Sequence, residues 1–135
     1  ALVVIDVGSN VYALEFFVDP ATGAPRLACG CTDKKVRVFD PIAGREALVV
    51  IDVGSWLVAL TAFADPATGE TRLVSGSYDK TMRVWDASKG GAALRVVAFD
   101  DNVWALAVRS DTSGLFVASG KRWGELRIES GTTPL

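Results

Sequence analysis

The chain repeats itself with a period of 46 residues, and this repetition constrains its fold more than any other feature. Residues 1–9 differ nowhere from residues 47–55, and segment 19–23 is identical to segment 65–69. About 26 of the 46 positions agree between these two copies. A third, more divergent copy begins at Ala93 and is two residues shorter before Leu126. We therefore divide the chain into repeats 1–46, 47–92 and 93–135, which together form one domain.

Each repeat contains four short apolar segments, spaced by about ten residues and separated by turn-forming residues. In repeat one these segments are residues 2–7, 11–17, 26–31 and 36–40. Segment 11–17 is almost wholly apolar, as expected of a strand buried on both faces. No segment shows the spacing of an amphipathic helix. The pattern predicts an all-β fold with four strands per repeat.

The segment from Ser75 to Asp86 resembles the signature of the WD-repeat β-propellers, and the resemblance extends over all three repeats. It implies blades of four antiparallel strands, three blades per chain, and a role in holding other proteins together without catalysis. By the same resemblance, Trp85 and Phe39 are blade-core residues. Family members often carry a His before the innermost strand, where it joins a buried hydrogen-bond network. This chain has no His, so we expect Asp33 and Asp79 to act as local turn caps only.

The repeat phase leaves one strand without a blade. In WD propellers the first strand of a sequence repeat forms the outermost strand of the preceding blade. Residues 48–53 would then complete blade one, and residues 94–99 would complete blade two. Blade three would have three strands, and residues 2–7 would have no blade. Three blades do not close a ring, since propellers have about four to eight. The ring is therefore completed by other chains, two or three joined head to tail, or by sequence missing from this chain.

Composition excludes several functions. Without His, no Ser-His or Cys-His catalytic pair is possible, and we expect no enzyme, cofactor or metal site. Cys29 and Cys31 align with Ser75 and Ser77, which predicts small strand residues. The net charge of −2 is spread over both signs, which argues against nucleic acid. No apolar run approaches the roughly 20 residues that span a membrane. The absence of a signal-like start predicts a cytoplasmic protein.

Candidate binding residues lie where the repeats differ while their neighbours agree. The sets are positions 10, 56 and 102, positions 12, 58 and 104, and positions 32, 78 and 122. By resemblance these positions face the side of the ring that WD propellers use for partners, and aromatic and Arg side chains dominate interface energetics. The predicted partner-binding residues are Trp56, Tyr78, Tyr12, Trp104, Arg122, Asn10, Asn102 and Thr32.

These observations predict a non-catalytic scaffold for a protein or peptide partner that assembles head to tail. Two alternatives remain open. Aromatic side chains between blades suit a propeller that binds a sugar or another small ligand, although no aromatic residue recurs at positions 10, 56 and 102. The near-identity of repeats one and two also fits a recently amplified or engineered array with no evolved partner.

Overall fold

Strands are the only regular elements in the part of the chain that the structure describes. The structure is a computed structural model and describes residues 3–65, 68–98, 105–111, 114–120 and 126–131. These residues contain eleven strands and no helix, which confirms the all-β prediction. None of them belongs to a helix long and apolar enough to cross a membrane.

Two four-stranded antiparallel sheets carry the first two repeats. Sheet one has the order β1 (Val11–Val18), β2 (Pro25–Cys31), β3 (Lys35–Phe39) and β4 (Val49–Asp52). Sheet two has the order β5 (Leu57–Ala64), β6 (Thr71–Ser77), β7 (Thr81–Asp86) and β8 (Gly90–Ala98). Strand β4 lies at the start of the second sequence repeat but completes sheet one, and β8 completes sheet two. This is the arrangement that the repeat phase predicts. Consecutive strands pair because short turns bring them back alongside each other.

A third sheet consists of three strands. They are β9 (Ala105–Asp111), β10 (Gly114–Gly120) and β11 (Leu126–Gly131), and β10 lies in the centre. Strand β5 contacts both β1 and β9, so the first strands of the three sheets lie next to one another. Strand β4 also contacts β8 at the opposite edge. The sheets therefore stack face to face with equivalent strands aligned.

The main hydrophobic core fills the space between sheets one and two. Sheet one contributes side chains from β2, β3 and β4, and sheet two contributes side chains from β5, β6 and β7. The fully or nearly fully buried members are Ala28, Val36, Val38, Ile51, Val53, Leu57, Leu60, Leu73, Trp85 and Ala87. Alternate residues of each strand enter this layer because successive side chains of a strand point to opposite faces.

The prediction of a strand over residues 2–7 is wrong for residues 3–7, which pair with no strand; residue 2 lies outside the described residues. These residues nevertheless occupy the place that β4 occupies one repeat later. A Cβ added to Gly44 would lie 2.6 Å from Val3 Cγ1, and one added to the equivalent Gly90 would lie 3.0 Å from Val49 Cγ1. Ile5 and Val7 pack against sheet one. A strand requires a hydrogen-bonded neighbour. Strand β4 has β3 beside it, whereas residues 3–7 have no strand beside them in the part of the chain that the structure describes.

Two local irregularities recur in both sheets and shape one end of the stack. The register shifts between Val11 and Ala13 in β1 and between Leu57 and Ala59 in β5. Each shift leaves one extra residue, Tyr12 or Val58, and such a bulge redirects its side chain. At the same end, the hairpin turns place Lys34 and Lys80 at φ values of 68° and 66°. A three-residue hairpin turn needs a left-handed residue at this position.

Candidate functional site: an aromatic cleft between sheets one and two

A cleft of about 460 Å³ opens between sheets one and two at the end that carries the bulges and the hairpin turns. Both sheets contribute to its walls, and it is lined by Tyr12, Thr32, Trp56, Leu57, Val58 and Tyr78. Its volume is in the range of small-ligand and peptide-anchor pockets. None of these lining residues is charged, and three of them are aromatic.

Trp56 forms an exposed apolar wall of the cleft and is contacted on two sides. Its indole is 55% exposed and meets the Tyr78 ring edge to face, with 6.1 Å between centroids and 79° between planes. The ammonium of Lys34, from the hairpin turn of sheet one, lies 5.7 Å from the indole centroid. The Trp56 carbonyl accepts a 3.0 Å hydrogen bond from the Tyr78 backbone N–H. Edge-to-face and cation–π contacts both favour one ring orientation.

The floor of the cleft is buried and apolar. Leu57 is 2% exposed, and its Cδ2 lies only 2.6 Å from where a Cβ on Gly30 would be. Only a residue without a side chain at position 30 lets Leu57 enter the gap between the sheets. The bulge residues Tyr12 and Val58 line the cleft above this floor.

The Thr32 side of the cleft is fixed by hydrogen bonds. The Thr32 hydroxyl pairs with the Ser9 hydroxyl at 2.9 Å, and its backbone N–H donates to the Asn10 carbonyl at 2.9 Å. The latter bond repeats the Tyr78–Trp56 bond one repeat earlier. Asn10 therefore supports the wall through its backbone and is not among the lining residues.

The turn aspartates beside the cleft are neutralised by their own hairpins. Arg37 donates to both Asp33 carboxylate oxygens, at 3.1 and 2.6 Å, and Arg83 donates to Asp79 at 2.7 Å. The hydrogen bond from Arg37 holds the pKa of Asp33 below its ordinary value. For Asp79, burial raises the pKa, but hydrogen bonds from Arg83 and Thr81 outweigh it and the net shift is downward. These ion pairs go beyond the capping role expected from the sequence.

The blade-core positions differ in chemistry between the sheets. Trp85 and Phe39 are each 3% exposed. The Trp85 Nε1–H donates to Ser75 Oγ at 3.0 Å, so part of a buried polar network survives without a His. In sheet one Phe39 packs against Cys29 and Cys31, whose thiols are free and buried. Burial, reinforced by Cys31, raises the pKa of Cys29 to about 11.

The sequence model of the family described as WD domain, G-beta repeat matches residues 53–86. The matched segment runs from the buried Val53 to the end of β7 and includes Trp56, Tyr78, Asp79 and the Ser75–Trp85 hydrogen bond. Residues 53–86 thus match one WD40 repeat. This finding confirms the family resemblance, on the repeat whose turn, core Trp and strand pattern are the most complete.

Solved structures with low sequence identity to this chain have a similar fold. A crystal structure of BBS1N in complex with ARL6DN, soaked with mercury, is 15% identical with a TM-score of 0.76 over 96% of this chain and 39% of that chain. The crystal soaked with lead gives 16% identity and a TM-score of 0.75 with the same coverage. At such identities the likeness shows the propeller fold alone. This chain thus spans 39% of the length of those chains. A comparison with curated protein sequences finds no match.

Four of the eight predicted partner-binding residues line the cleft: Tyr12, Thr32, Trp56 and Tyr78. Asn10 lies next to it, and Asn102, Trp104 and Arg122 lie outside the described residues. Lys34 is not among the predicted residues, because its position is Lys in both well-matched repeats and the predicted residues lie at variable positions. Its role depends on the Trp56 ring, which belongs to the other repeat, so no pattern within one repeat identifies it.

Proposed function

We propose that the chain is a non-catalytic WD-repeat scaffold, with repeats 1–46, 47–92 and 93–135 as three blades, that binds a protein or peptide partner in the aromatic cleft. One observation carries the proposal: Trp56 is 55% exposed at the mouth of an apolar cleft yet fixed by Tyr78 and Lys34. Large aromatic side chains that are already ordered lose little entropy on binding and dominate binding energy. The BBS1N structures are of complexes with a second protein, ARL6DN, which is consistent with an interaction role.

The test compares two substitutions at equivalent positions. Trp56→Asn installs the residue that repeat one carries at position 10, so the variant keeps a side chain that this fold accommodates. Asn10→Ala is the matched control outside the cleft. We expect affinity capture from a native extract, followed by crosslinking and mass spectrometry, to recover proteins that crosslink at the cleft with wild type and Asn10→Ala but not with Trp56→Asn. Equal recovery by all three would contradict the cleft as the binding surface.

A small sugar is the second candidate ligand, because Trp56, Tyr12 and Tyr78 surround one cleft and aromatic faces stack on sugars. A glycan array separates the two ligand classes. Glycan binding that is lost in Trp56→Asn, together with no captured protein, would replace the protein partner by a sugar. If neither binds, the array without an evolved partner becomes the better account.

We further propose that the blades form a ring completed by other copies of the chain, two or three joined head to tail. Three observations support this assembly. On β1, Leu14, Phe16 and Val18 are 57 to 66% exposed on one side of the strand, although the equivalent side of sheet two is covered by sheet one. Residues 3–7 pack in the place of an outermost strand without a strand partner among the described residues, and the described part of sheet three has three strands. Completion by additional sequence of a longer propeller is the alternative.

Mass in solution separates the two forms of ring completion. Light scattering coupled to size exclusion is expected to give two or three chain masses for the wild type. Phe16→Glu places a carboxylate in the β1 side and is expected to reduce the mass to one chain. Val96→Glu is the matched control, since Val96 is an apolar strand residue of similar exposure, 55%, that lies on β8 and not on the open side of β1. A monomeric wild type would exclude self-assembly and favour the longer propeller.

A further inference from the structure

The aromatic cleft carries a positive charge that no carboxylate of the described residues neutralises. Lys34 is exposed, and none of the ion pairs found in the described part of the chain includes it. The neighbouring Asp33 is already held by both donors of Arg37. The six residues that line the cleft include no acid. A cation without a counter-charge at the rim of an apolar cleft favours a ligand that supplies a carboxylate.

The opposite end of the same two sheets lacks this property. A groove of about 360 Å³ there contains Asp19 and Glu70 together with Arg26. Arg26 lies 3.8 Å from both Asp19 and Asp40, and Glu70 pairs with Arg72 at 3.2 Å. The charges of that groove are therefore balanced by residues of the chain itself. Of these two clefts, the aromatic one therefore has a neighbouring cation without an ion pair among the described residues, whereas the charged residues of the other groove are paired.

We infer that the aromatic cleft recognises a peptide segment in which an apolar or aromatic anchor residue is followed or preceded, within two positions, by Asp or Glu. The anchor packs on Trp56 and the Leu57 floor, and the carboxylate pairs with Lys34. The spacing follows from the 5.7 Å between the ammonium and the indole centroid, which is the reach of one to two residues at about 3.8 Å per Cα step. This inference rests on the proposed function, because it names the chemistry of the partner bound at the same cleft.

The residue equivalent to Lys34 in repeat two, Lys80, serves as a matched control. Lys80 holds the same turn position with nearly the same backbone angle, φ 66° against 68°. No cation–π contact of Lys80 is found among the described residues, whereas Lys34 lies against Trp56. A substitution of Lys80 therefore changes the net charge and the turn in the same way as a substitution of Lys34. The two lysines differ in their position relative to the Trp56 indole.

The experiment starts with a peptide array in which Phe, Leu, Tyr or Trp is fixed and the two positions on each side are varied over all residues. The best binder is then compared in solution with versions carrying Gln or Lys in place of its acid, by fluorescence anisotropy at low salt. We expect the acidic peptide to bind wild type and Lys80→Gln about two- to fivefold more tightly than its Gln version. We expect Lys34→Gln to lose this preference while still binding the Gln version, and Trp56→Asn to lose binding of both.

The outcomes distinguish this inference from the proposed function beneath it. Peptides that bind wild type but not Trp56→Asn, with no preference for an acid, would overturn the inference and leave the proposed function intact. An acid preference that disappears equally in Lys80→Gln would also overturn it, because general charge would then explain the effect. The absence of any array peptide that depends on Trp56 would overturn both.

Discussion

Sheets one and two are built from nearly the same sequence, yet they differ sharply in burial. Leu14 and Leu60 are the same residue at the same position of equivalent strands, and they are 59% and 8% exposed. Leu60 faces sheet one, whereas Leu14 has no described sheet beside it. Burial of a Leu side chain is worth about 1.5–3 kcal/mol, so identical residues contribute differently according to their neighbours. The sequence of a repeat therefore specifies the four strands of a sheet. The neighbouring sheets then determine how much the buried side chains of that sheet contribute to stability.

The charged clusters of the two sheets repeat this contrast. Arg72 lies within 3.5 Å of Asp65, Glu70 and Asp86, and its side chain is 8% exposed. The equivalent Arg26 lies 3.8 Å from Asp19 and Asp40 with a side chain that is 17% exposed. The extra partner in sheet two is Glu70, which replaces Ala24. The equivalent ion pairs in sheet two thus have shorter distances, and their arginine is less exposed to solvent.

The largest difference is expected from the buried leucines of β2 and β6. Leu73 is fully buried in the core between the sheets, whereas its equivalent Leu27 is only partly buried. Leu73→Ala is expected to lower the free energy of unfolding by about 2–5 kcal/mol through a cavity and lost transfer energy. Leu27→Ala is expected to cost less than half as much. Urea denaturation followed by circular dichroism measures both, and equal losses would contradict the contrast between the sheets.

Removal of the two arginines tests the ion-pair clusters. Arg72→Met leaves the nearly buried Asp65 without its cation, which is expected to cost about 2–3 kcal/mol, since one side of the cluster reaches solvent through Glu70. Arg26→Met is expected to cost at most about 1 kcal/mol, as for exposed ion pairs. The same denaturation curves report both values. A larger loss of stability in Arg26→Met than in Arg72→Met would show that burial does not determine how much each ion-pair cluster contributes.

The Ser75–Trp85 hydrogen bond can be converted to the chemistry of sheet one. Ser75→Cys replaces the hydroxyl acceptor of the buried Trp85 N–H by a sulfur, which accepts only weakly, and is expected to cost about 1–2 kcal/mol. Combining it with Trp85→Phe reproduces the Cys29 and Phe39 pair, and the combined loss is expected to be about 1 kcal/mol smaller than the sum of the single losses. A double-mutant cycle measures this coupling. Strict additivity would mean that the bond contributes nothing specific to sheet two.

The smallest effect concerns pH and the turn aspartate of sheet two. Because the pKa of Asp79 is lower in the folded chain than its ordinary value of 3.8, the stabilisation is present above about pH 4 and is lost as the pH falls through the folded pKa. Asp79→Asn is expected to cost a few tenths of a kcal/mol at neutral pH. Denaturation midpoints at pH 7 and pH 3 should differ less for the variant than for wild type. If the midpoints of the variant and of wild type differ equally between the two pH values, Asp79 does not contribute to the loss of stability in acid.

Much of the fold could be predicted from the sequence because strands and hairpin turns are specified locally. The predicted segments 11–17, 26–31 and 36–40 agree with β1, β2 and β3 within one residue at each end. The assignment of residues 48–53 to sheet one was also confirmed, by β4. The candidate site was predictable in part, since four aromatic or hydroxyl residues at variable positions meet in one cleft. Lys34 and the bulges were not predictable, because they depend on register and on contacts between repeats.

Segments 1–9 and 47–55 show which features follow from a segment's own sequence and which follow from its neighbours in the fold. Because these segments are identical, any difference between them has a cause outside their own sequence. The sequence determined their alternation of inward and outward side chains, so Ile5 and Val7 pack inward as Ile51 and Val53 do. Only the tertiary structure made residues 49–52 a strand and left residues 3–7 unpaired. Backbone hydrogen bonds of a sheet come from a neighbouring strand, and a neighbour is not encoded in the segment itself.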